Sequence, residues 1–489
     1  MRSPLAAPPC APDAEPGPDL DSATIPHLIG LMAAGTLDPV DLTRAYLRRI
    51  ETVDRHVRSV LAVNGDALRE AAGSARRWAA GRPLGALDGI PVLLKDNIDT
   101  VGTGATAGSR ALVVPPTDDA ELVRLLRAAG AVVLGKTNMS EWGNFRSPWA
   151  TSGWSGVGGQ TNNPHVLDHN PCGSSSGSAA AVAASLAQVS VGTETDASIL
   201  SPAGHCGIVG FKPTLGRISG DGIVPISSWQ DTAGPMARHV VDAAILMSVL
   251  EGRGVDYAAA LVPDPLPGAR VGVWRRAGFH AEVDRVVESS VDVLRRAGAE
   301  VVDVELPHLD RITAAEFPAL VSEFKHDLEA YLRTRPGAPR TVRELIAFTE
   351  ADPAEPAGFG QERFFEAEKA PPITDPAYRE QRRTATALAR AAIDDVLAAH
   401  RLDVVMAPTN APAWRTGPDG DPAGLGSSRP SAVAGYPSAT VPAGFAGPLP
   451  LGVSFTAGHG ADALVLRFAA AFERAAPVRR APGYLPTLP

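Results

Sequence analysis

Cysteine is scarce in this 489-residue chain: Cys10, Cys172 and Cys206 are the only three. Three thiols cannot build a disulfide framework, and no pair has metal-ligand spacing, so we read a reducing compartment, buried thiols and no metal centre. A long hydrophobic run is missing too. Nothing approaches the roughly 18 consecutive apolar residues of a membrane-spanning helix. Basic charge is not in excess: 45 Lys and Arg stand against 54 Asp and Glu, a net charge of −9. No basic stripe is present, which argues against nucleic-acid binding. The segment Met1–Pro18 lacks the apolar stretch of a secretory signal, so a cytoplasmic location is expected. It is rich in Pro and Ala, and disorder is expected over residues 1–20.

What the chain does have is apolar bulk and alternation. Hydrophobic residues make up 45% of it, enough to bury a large core. Residues 24–53 read as a helical hairpin whose second helix starts at Asp38-Pro39. Residues 67–80 read as an Ala-rich helix. The stretch Gly89–Lys95 then reads as a short apolar strand ending on a lysine. Helix 120–129 precedes a strand over 131–134, and the alternation resumes after Arg270 with strand, helix and strand. Long helices are predicted over 312–332 and 375–400, strands over 404–407, 438–442 and 451–455, and a closing helix over 464–475. Residues 335–360, rich in Pro, Gly and charge, read as a surface excursion. This α/β pattern predicts a single large domain over residues 21–480, with a mixed, mostly parallel central β-sheet covered by helices on both faces. Residues 1–20 lie outside it.

The segment 151–178 breaks the pattern. It is dense in Gly, Ser, Thr and Asn and has little apolar periodicity, and a loop that long in a compact domain is usually functional. Its polar core runs from Pro171 to Ala180. A second cluster runs from Gly192 to Ile199. A serine in either needs a base to become nucleophilic. Of the eleven histidines, only His205 lies near, and it reads as a packing residue. Gly173–Gly177 matches the nucleophile elbow G-x-S-x-G, with Ser175 at its centre. That motif needs a strand immediately before the serine, and residues 163–171 are polar with two prolines. The context argues against Ser175 as nucleophile.

The segments Gly89–Asp99, Gly135–Ser140, Pro171–Ala184, Val191–Pro202, Gly207–Pro213, Gln230–Arg238, Ala407–Thr409 and Ala434–Pro442 together resemble the amidase-signature family, in the right order. The resemblance runs from about residue 22 to about 477. It implies a catalytic triad without histidine. Lys95 is the base. Ser174, on a cis peptide after Gly173, relays protons. Ser198 is the nucleophile, at the interval from Ser174 that the family pattern requires. The backbone N–H groups of Thr195, Asp196, Ala197 and Ser198 form the implied oxyanion hole, while Gly173, Ser175 and Thr193 support the site.

The physical requirements agree. A lysine near its ordinary pKa of about 10.4 is almost fully charged at pH 7 and is no base. Burial disfavours the charge, and Lys95 follows four apolar residues. Backbone donors near the nucleophile stabilise charge that develops only in the transition state. Asp231 reads as a buried structural carboxylate, and Cys172 as structural for want of an activating base. Two departures stand out. Cys172 replaces the first glycine of the serine-rich motif, and Asp196-Ala197 replace the two glycines common before the nucleophile. Cys172 and Asp196 resemble the peptide-amidase branch, which removes C-terminal carboxamides. So do Asn144-Phe145-Arg146, Gly153–Gly156 and Gly158–Thr161. Ala197 is the deviation: it is strained if its position needs a positive φ.

The resulting expectation is an amide hydrolase acting through an acyl-enzyme on a peptide or small-molecule amide. It needs no cofactor, metal, nucleic acid or membrane, and works as a monomer or homodimer. Three alternatives stay open: a biosynthetic acyltransferase or ester-processing enzyme with the same acyl-enzyme, the glutaminase-like component of an amidotransferase, which requires partner subunits, and a catalytically inactive binding protein.

Overall fold

The computed structural model describes residues 19–353 and 359–489. Most of the expected disordered segment, residues 1–18, lies outside the described residues. The two expected N-terminal helices form, but the first packs on helix Val240–Glu251 and the second on helix Ala67–Ala79 rather than on each other as a hairpin. Helix Ile25–Ala33 is capped by Thr24, whose hydroxyl accepts the His27 N–H at 3.4 Å. Helix Pro39–Val57 is capped by Asp38, whose carboxylate accepts the Val40 N–H at 2.6 Å. Each cap satisfies a backbone donor that a helix start otherwise leaves bare.

Thirteen strands follow in chain order among the described residues: β1 (Val60–Val63), β2 (Pro91–Lys95), β3 (Val132–Thr137), β4 (Trp154–Ser155), β5 (Gly159–Gln160), β6 (Val189–Glu194), β7 (Val209–Lys212), β8 (Thr232–Ala237), β9 (Arg270–Val273), β10 (Glu300–Asp303), β11 (Val404–Pro408), β12 (Ser438–Ala446) and β13 (Leu449–Thr456). All except β4 and β5 join one sheet, in the order β1-β3-β2-β6-β8-β7-β12-β13-β11-β9-β10. In β2, β3, β6, β8 and β11 every residue is buried. Strands buried on both faces need helices on both faces. Helix Ser176–Ala183 packs on β2, β3, β6 and β8, and helix Asp462–Ala475 packs on β12 and β13.

The sheet is mixed, as expected, but it is not mostly parallel. Only β2 with β3, β2 with β6, β9 with β11 and β9 with β10 run parallel. The other six pairings are antiparallel. The cause lies in connections that the α/β alternation does not reveal. Strands β12 and β13 are separated by Gly447-Pro448 alone, and a connection that short forces an antiparallel hairpin. Strand β8, with the sequence TAGPMA, sits at the sheet centre between β6 and β7. Its Gly234 and Pro235 argue against a central strand on sequence grounds, and they conceal it from a reading of local pattern.

A second correction concerns residues 335–360. Their described part is not only a surface excursion. It contains helix Val342–Ala351, which buries Val342 and Leu345. These residues join Trp142, Val224, Phe324, Leu328 and Phe364 in an apolar cluster separate from the main core. Aromatic contacts knit it, with Phe145 and Phe324 centroids 4.7 Å apart and Trp142 edge-on to Phe364 at 5.9 Å. Trp142 and Val224 also line the cavity described next.

Candidate active site

Strands β2, β3 and β6 are parallel neighbours, so their carboxyl ends open on the same side. In open α/β sheets that is where ligands bind. The sequence places a polar group at each exit. β2 ends on Lys95, β6 runs through Thr193 to Glu194, and helix Ser176–Ala183 starts beside them after Ser174 and Ser175. Gly173–Ser174 is a cis peptide, as the resemblance implied. Gly173 has no room for a side chain: a Cβ there would lie 2.1 Å from Ser140 Oγ.

Lys95 is 1% exposed. Its Nζ lies 2.8 Å from Ser174 Oγ, 2.8 Å from Thr193 Oγ1 and 3.1 Å from the Thr193 carbonyl. Among the described residues, no carboxylate forms an ion pair with it. Burial lowers its pKa to about 7, against the opposing charges of Asp231 and Glu194. Burial without an ion-pair partner is the arrangement that yields a neutral amine near neutral pH. Ser174 and Lys95 thus meet as expected, and Thr193 holds the lysine from the other side.

Ser198 lies in the turn between β6 and helix Leu200–Cys206. Its carbonyl accepts the Ser175 N–H at 3.2 Å, which docks the two serine-bearing loops together. Its Oγ makes a single long contact, 3.5 Å to the Asp196 carbonyl. No hydrogen bond joins Ser198 Oγ to Ser174 Oγ in this structure. Catalytic contacts are commonly long before substrate binds and tighten with it. The N–H groups of Thr195, Asp196, Ala197 and Ser198 donate to no acceptor among the described residues. Ala197 has φ 65°, so the position does require the left-handed region, where a side chain costs about 1–2 kcal/mol.

Ser175 is fully buried. Its Oγ donates to the Thr193 carbonyl at 3.0 Å and accepts the Thr193 N–H at 3.2 Å. A hydroxyl doubly tied to a strand is a clamp rather than an elbow nucleophile. His205 is also a packing residue: Nδ1 lies 2.8 Å from the Ser201 carbonyl, the ring stands edge-on to Trp414, and burial lowers its pKa to about 4. Burial pushes the Cys172 thiol well up, leaving it a poor nucleophile. The Asp231 carboxylate accepts from Thr195 Oγ1 at 2.6 Å and from the Ile226 and Ser227 N–H groups at 2.7 and 2.9 Å.

Two residues not singled out from sequence help hold this geometry. Glu194 Oε2 accepts the Ile199 and Leu200 N–H groups at 2.7 and 2.9 Å. It thereby caps the helix that follows Ser198, which has no side-chain cap of its own. A glutamate shortly before a helix start was the available signal. Asn97, two residues after Lys95, donates from Nδ2 to Thr193 Oγ1 at 3.0 Å. Asp196, expected only for its backbone N–H, also contributes its side chain. The carboxylate is tied to Ser428 Oγ at 2.7 Å and Arg429 Nε at 3.2 Å, groups more than 200 residues away in sequence.

The ends of β2 and β6, with Ser174, border a cavity of about 300 Å³. Lys95, Ser174, Thr193 and Asp231 form a polar wall, and Met139, Trp142, Ile223 and Ile226 are among the residues of an apolar one. Ser198 is not among the residues that line the cavity.

Comparison with known proteins fits this arrangement. The amidase family pattern matches residues 41–466. The chain belongs to the amidase-signature family. The native peptide amidase of Stenotrophomonas maltophilia superposes with a TM-score of 0.92 at 46% identity, covering 95% of this chain and 99% of that one. A peptide amidase in complex with the competitive inhibitor chymostatin gives 0.91 at 46% identity, over 94% and 99%. A glutamyl-tRNA(Gln) amidotransferase component from Salinispora arenicola is 36% identical over 494 aligned positions, 94% of this chain and 98% of that protein. This amidase-signature protein is an amide-hydrolysing enzyme with a peptide-amidase-like structure. Among the described residues, no helix is long and apolar enough to cross a membrane.

Proposed function

We propose that the enzyme hydrolyses peptide C-terminal amides or related carboxamides through an acyl-enzyme on Ser198. Lys95, neutral, takes the proton of Ser174 as Ser174 takes that of Ser198. The Ser198 Oγ–carbon bond forms while the negative charge on the substrate oxygen is met by the N–H groups of residues 195–198. The relay then returns the proton to the nitrogen, the carbon–nitrogen bond breaks, and ammonia or an amine leaves. Water, activated by the same groups, releases the acid. No cofactor enters.

The observation that carries this reading is the buried 2.8 Å contact from Lys95 Nζ to Ser174 Oγ, with no ion-pair partner among the described residues to hold the lysine charged. The turn of bare N–H groups beside Ser198 supports it. The peptide-amide preference rests on the two peptide amidase neighbours and on the apolar wall of the cavity. The test is fluorophosphonate labelling together with ammonia release from a panel of peptide amides and small carboxamides. Labelling and release should both vanish in Ser198→Ala. A probe that still labels that variant at Ser175 would overturn the nucleophile assignment.

A further inference from the structure

Ala197 holds a left-handed φ of 65° in the turn beside Ser198. A non-glycine residue keeps such a backbone only where its surroundings over-determine it. The two residues before it carry that constraint. The Asp196 carboxylate accepts from Ser428 Oγ at 2.7 Å and from Arg429 Nε at 3.2 Å. The Thr195 carbonyl accepts from Gln230 Nε2 at 3.3 Å.

These ties are joined to one another behind the turn. Arg429 Nε also lies 3.4 Å from Glu316 Oε2. Glu316 Oε1 accepts from the same Gln230 Nε2 at 3.0 Å. Thr195, Asp196, Arg429, Glu316 and Gln230 therefore close a ring, and the peptide bond between Thr195 and Asp196 is one side of it. The ring is anchored outward as well. Arg429 Nη1 donates to Thr313 Oγ1 at 3.0 Å. Thr313 and Glu316 lie three apart on helix Leu309–Leu332, and that spacing puts them on one face. Gln230 Oε1 accepts from Arg382 Nη1 at 2.7 Å, and Arg382 pairs with Glu323. Glu316 is 4% exposed. Burial and the Asp196 charge push its carboxyl pKa up, and Arg429 opposes them. The guanidinium thus stands between two like charges.

We propose that Arg429 is a positioning residue: paired with Asp196 on one side and Glu316 on the other, it holds in place the turn whose N–H groups meet the substrate oxyanion. The inference rests on the hydrolase reading above. Those N–H groups stabilise charge that exists only in the transition state. A turn out of place therefore lowers kcat and leaves substrate binding alone. Without Arg429 the Asp196 side chain loses one of its two ties, and the Asp196 and Glu316 carboxylates repel across a poorly screened gap. The turn is then free to relax from its left-handed backbone. The tether also depends on Asp196 standing where the family pattern has glycine, because glycine offers no side chain to hold.

The test is Arg429→Met, assayed for ammonia release from a peptide carboxamide and for the rate of fluorophosphonate labelling, beside a thermal melt. We expect kcat and the labelling rate to fall together by about tenfold with KM unchanged, less than the roughly hundredfold scale of an oxyanion donor deleted outright. Arg429→Lys, which keeps a cation between the two carboxylates, should recover most of that loss. Asp196→Asn keeps the side-chain shape and the backbone N–H but not the charge. It should show the same split more weakly, and it carries the test if the Met variant does not fold. A folded Arg429→Met enzyme with wild-type kcat overturns the proposal. So does a loss confined to KM, which would place Arg429 against the substrate instead. A wild-type enzyme that releases no ammonia and takes no fluorophosphonate would refute the hydrolase reading itself.

Discussion

Two neighbouring strands each end by burying a lysine, and the two lysines have different fates. Lys95 closes β2 and Lys136 lies near the end of β3, one register position away, opposite Leu94. Both are essentially inaccessible. Burial lowers both pKa values, to about 7 for Lys95 and about 8 for Lys136. Lys136 donates to the Ile98 carbonyl and Thr100 Oγ1, with the charges of Asp96 and Asp99 nearby to favour its protonated form. It fastens the loop after β2. Lys95 faces two hydroxyls and a cavity. Burial alone therefore does not make a base. Each lysine has a hydroxyl within reach, Ser174 for Lys95 and Thr100 for Lys136. What separates them is that Lys95 and Ser174 line the cavity and Lys136 and Thr100 do not.

That contrast can be broken in several ways. The largest expected effect is Lys95→Ala, which should lower kcat/KM by about a thousandfold or more while the protein stays folded, since loss of a positioned base and its proton relay has that scale. Steady-state kinetics beside a thermal melt would settle it, and an active variant removes Lys95 as base. Lys136→Met should do the reverse. It should destabilise the fold by about 3 kcal/mol, because carboxylates placed around a buried cation lose it. A Lys136→Met enzyme that melts normally but is inactive would erase the distinction.

The pH profile sharpens the comparison further. Only neutral Lys95 accepts a proton, and its pKa is lowered to about 7. Activity should therefore climb about tenfold per pH unit below that point and level off above it. A profile that rises only near pH 10 would mean that burial does not tune this lysine. The smallest effect concerns the turn beside Ser198. Ala197→Gly should raise stability by about 1 kcal/mol in denaturant unfolding, by removing a side chain from a left-handed backbone position. Unchanged or lower stability would mean that the turn carries no such strain.

Much of this was legible in the sequence. The strand ending on Lys95, the polar clusters around Ser174 and Ser198, and the helix-strand alternation all come from local patterns of apolar spacing and small polar residues. The positive φ at Ala197 was legible as a condition, since the family pattern that the sequence resembles has glycine at that place. Strand β8 was not, because a Gly-Pro pair disguises it and only two flanking strands make it a strand. The helix Val342–Ala351 was hidden in a Pro- and charge-rich stretch, and it forms where Val342 and Leu345 can bury against Phe324 and Phe364.

Chemistry of single residues and their local order belong to the sequence: a lysine at a strand exit, serines in flexible small-residue loops, a glutamate ahead of a helix. What tertiary structure alone decided is which of them meet. The depressed pKa of Lys95 comes from desolvation by distant segments. The tie from Asp196 to Ser428 and Arg429 spans more than 200 residues of sequence. Burial and hydrogen-bond partnership are properties of neighbours in space, and those neighbours are supplied by the folded sheet.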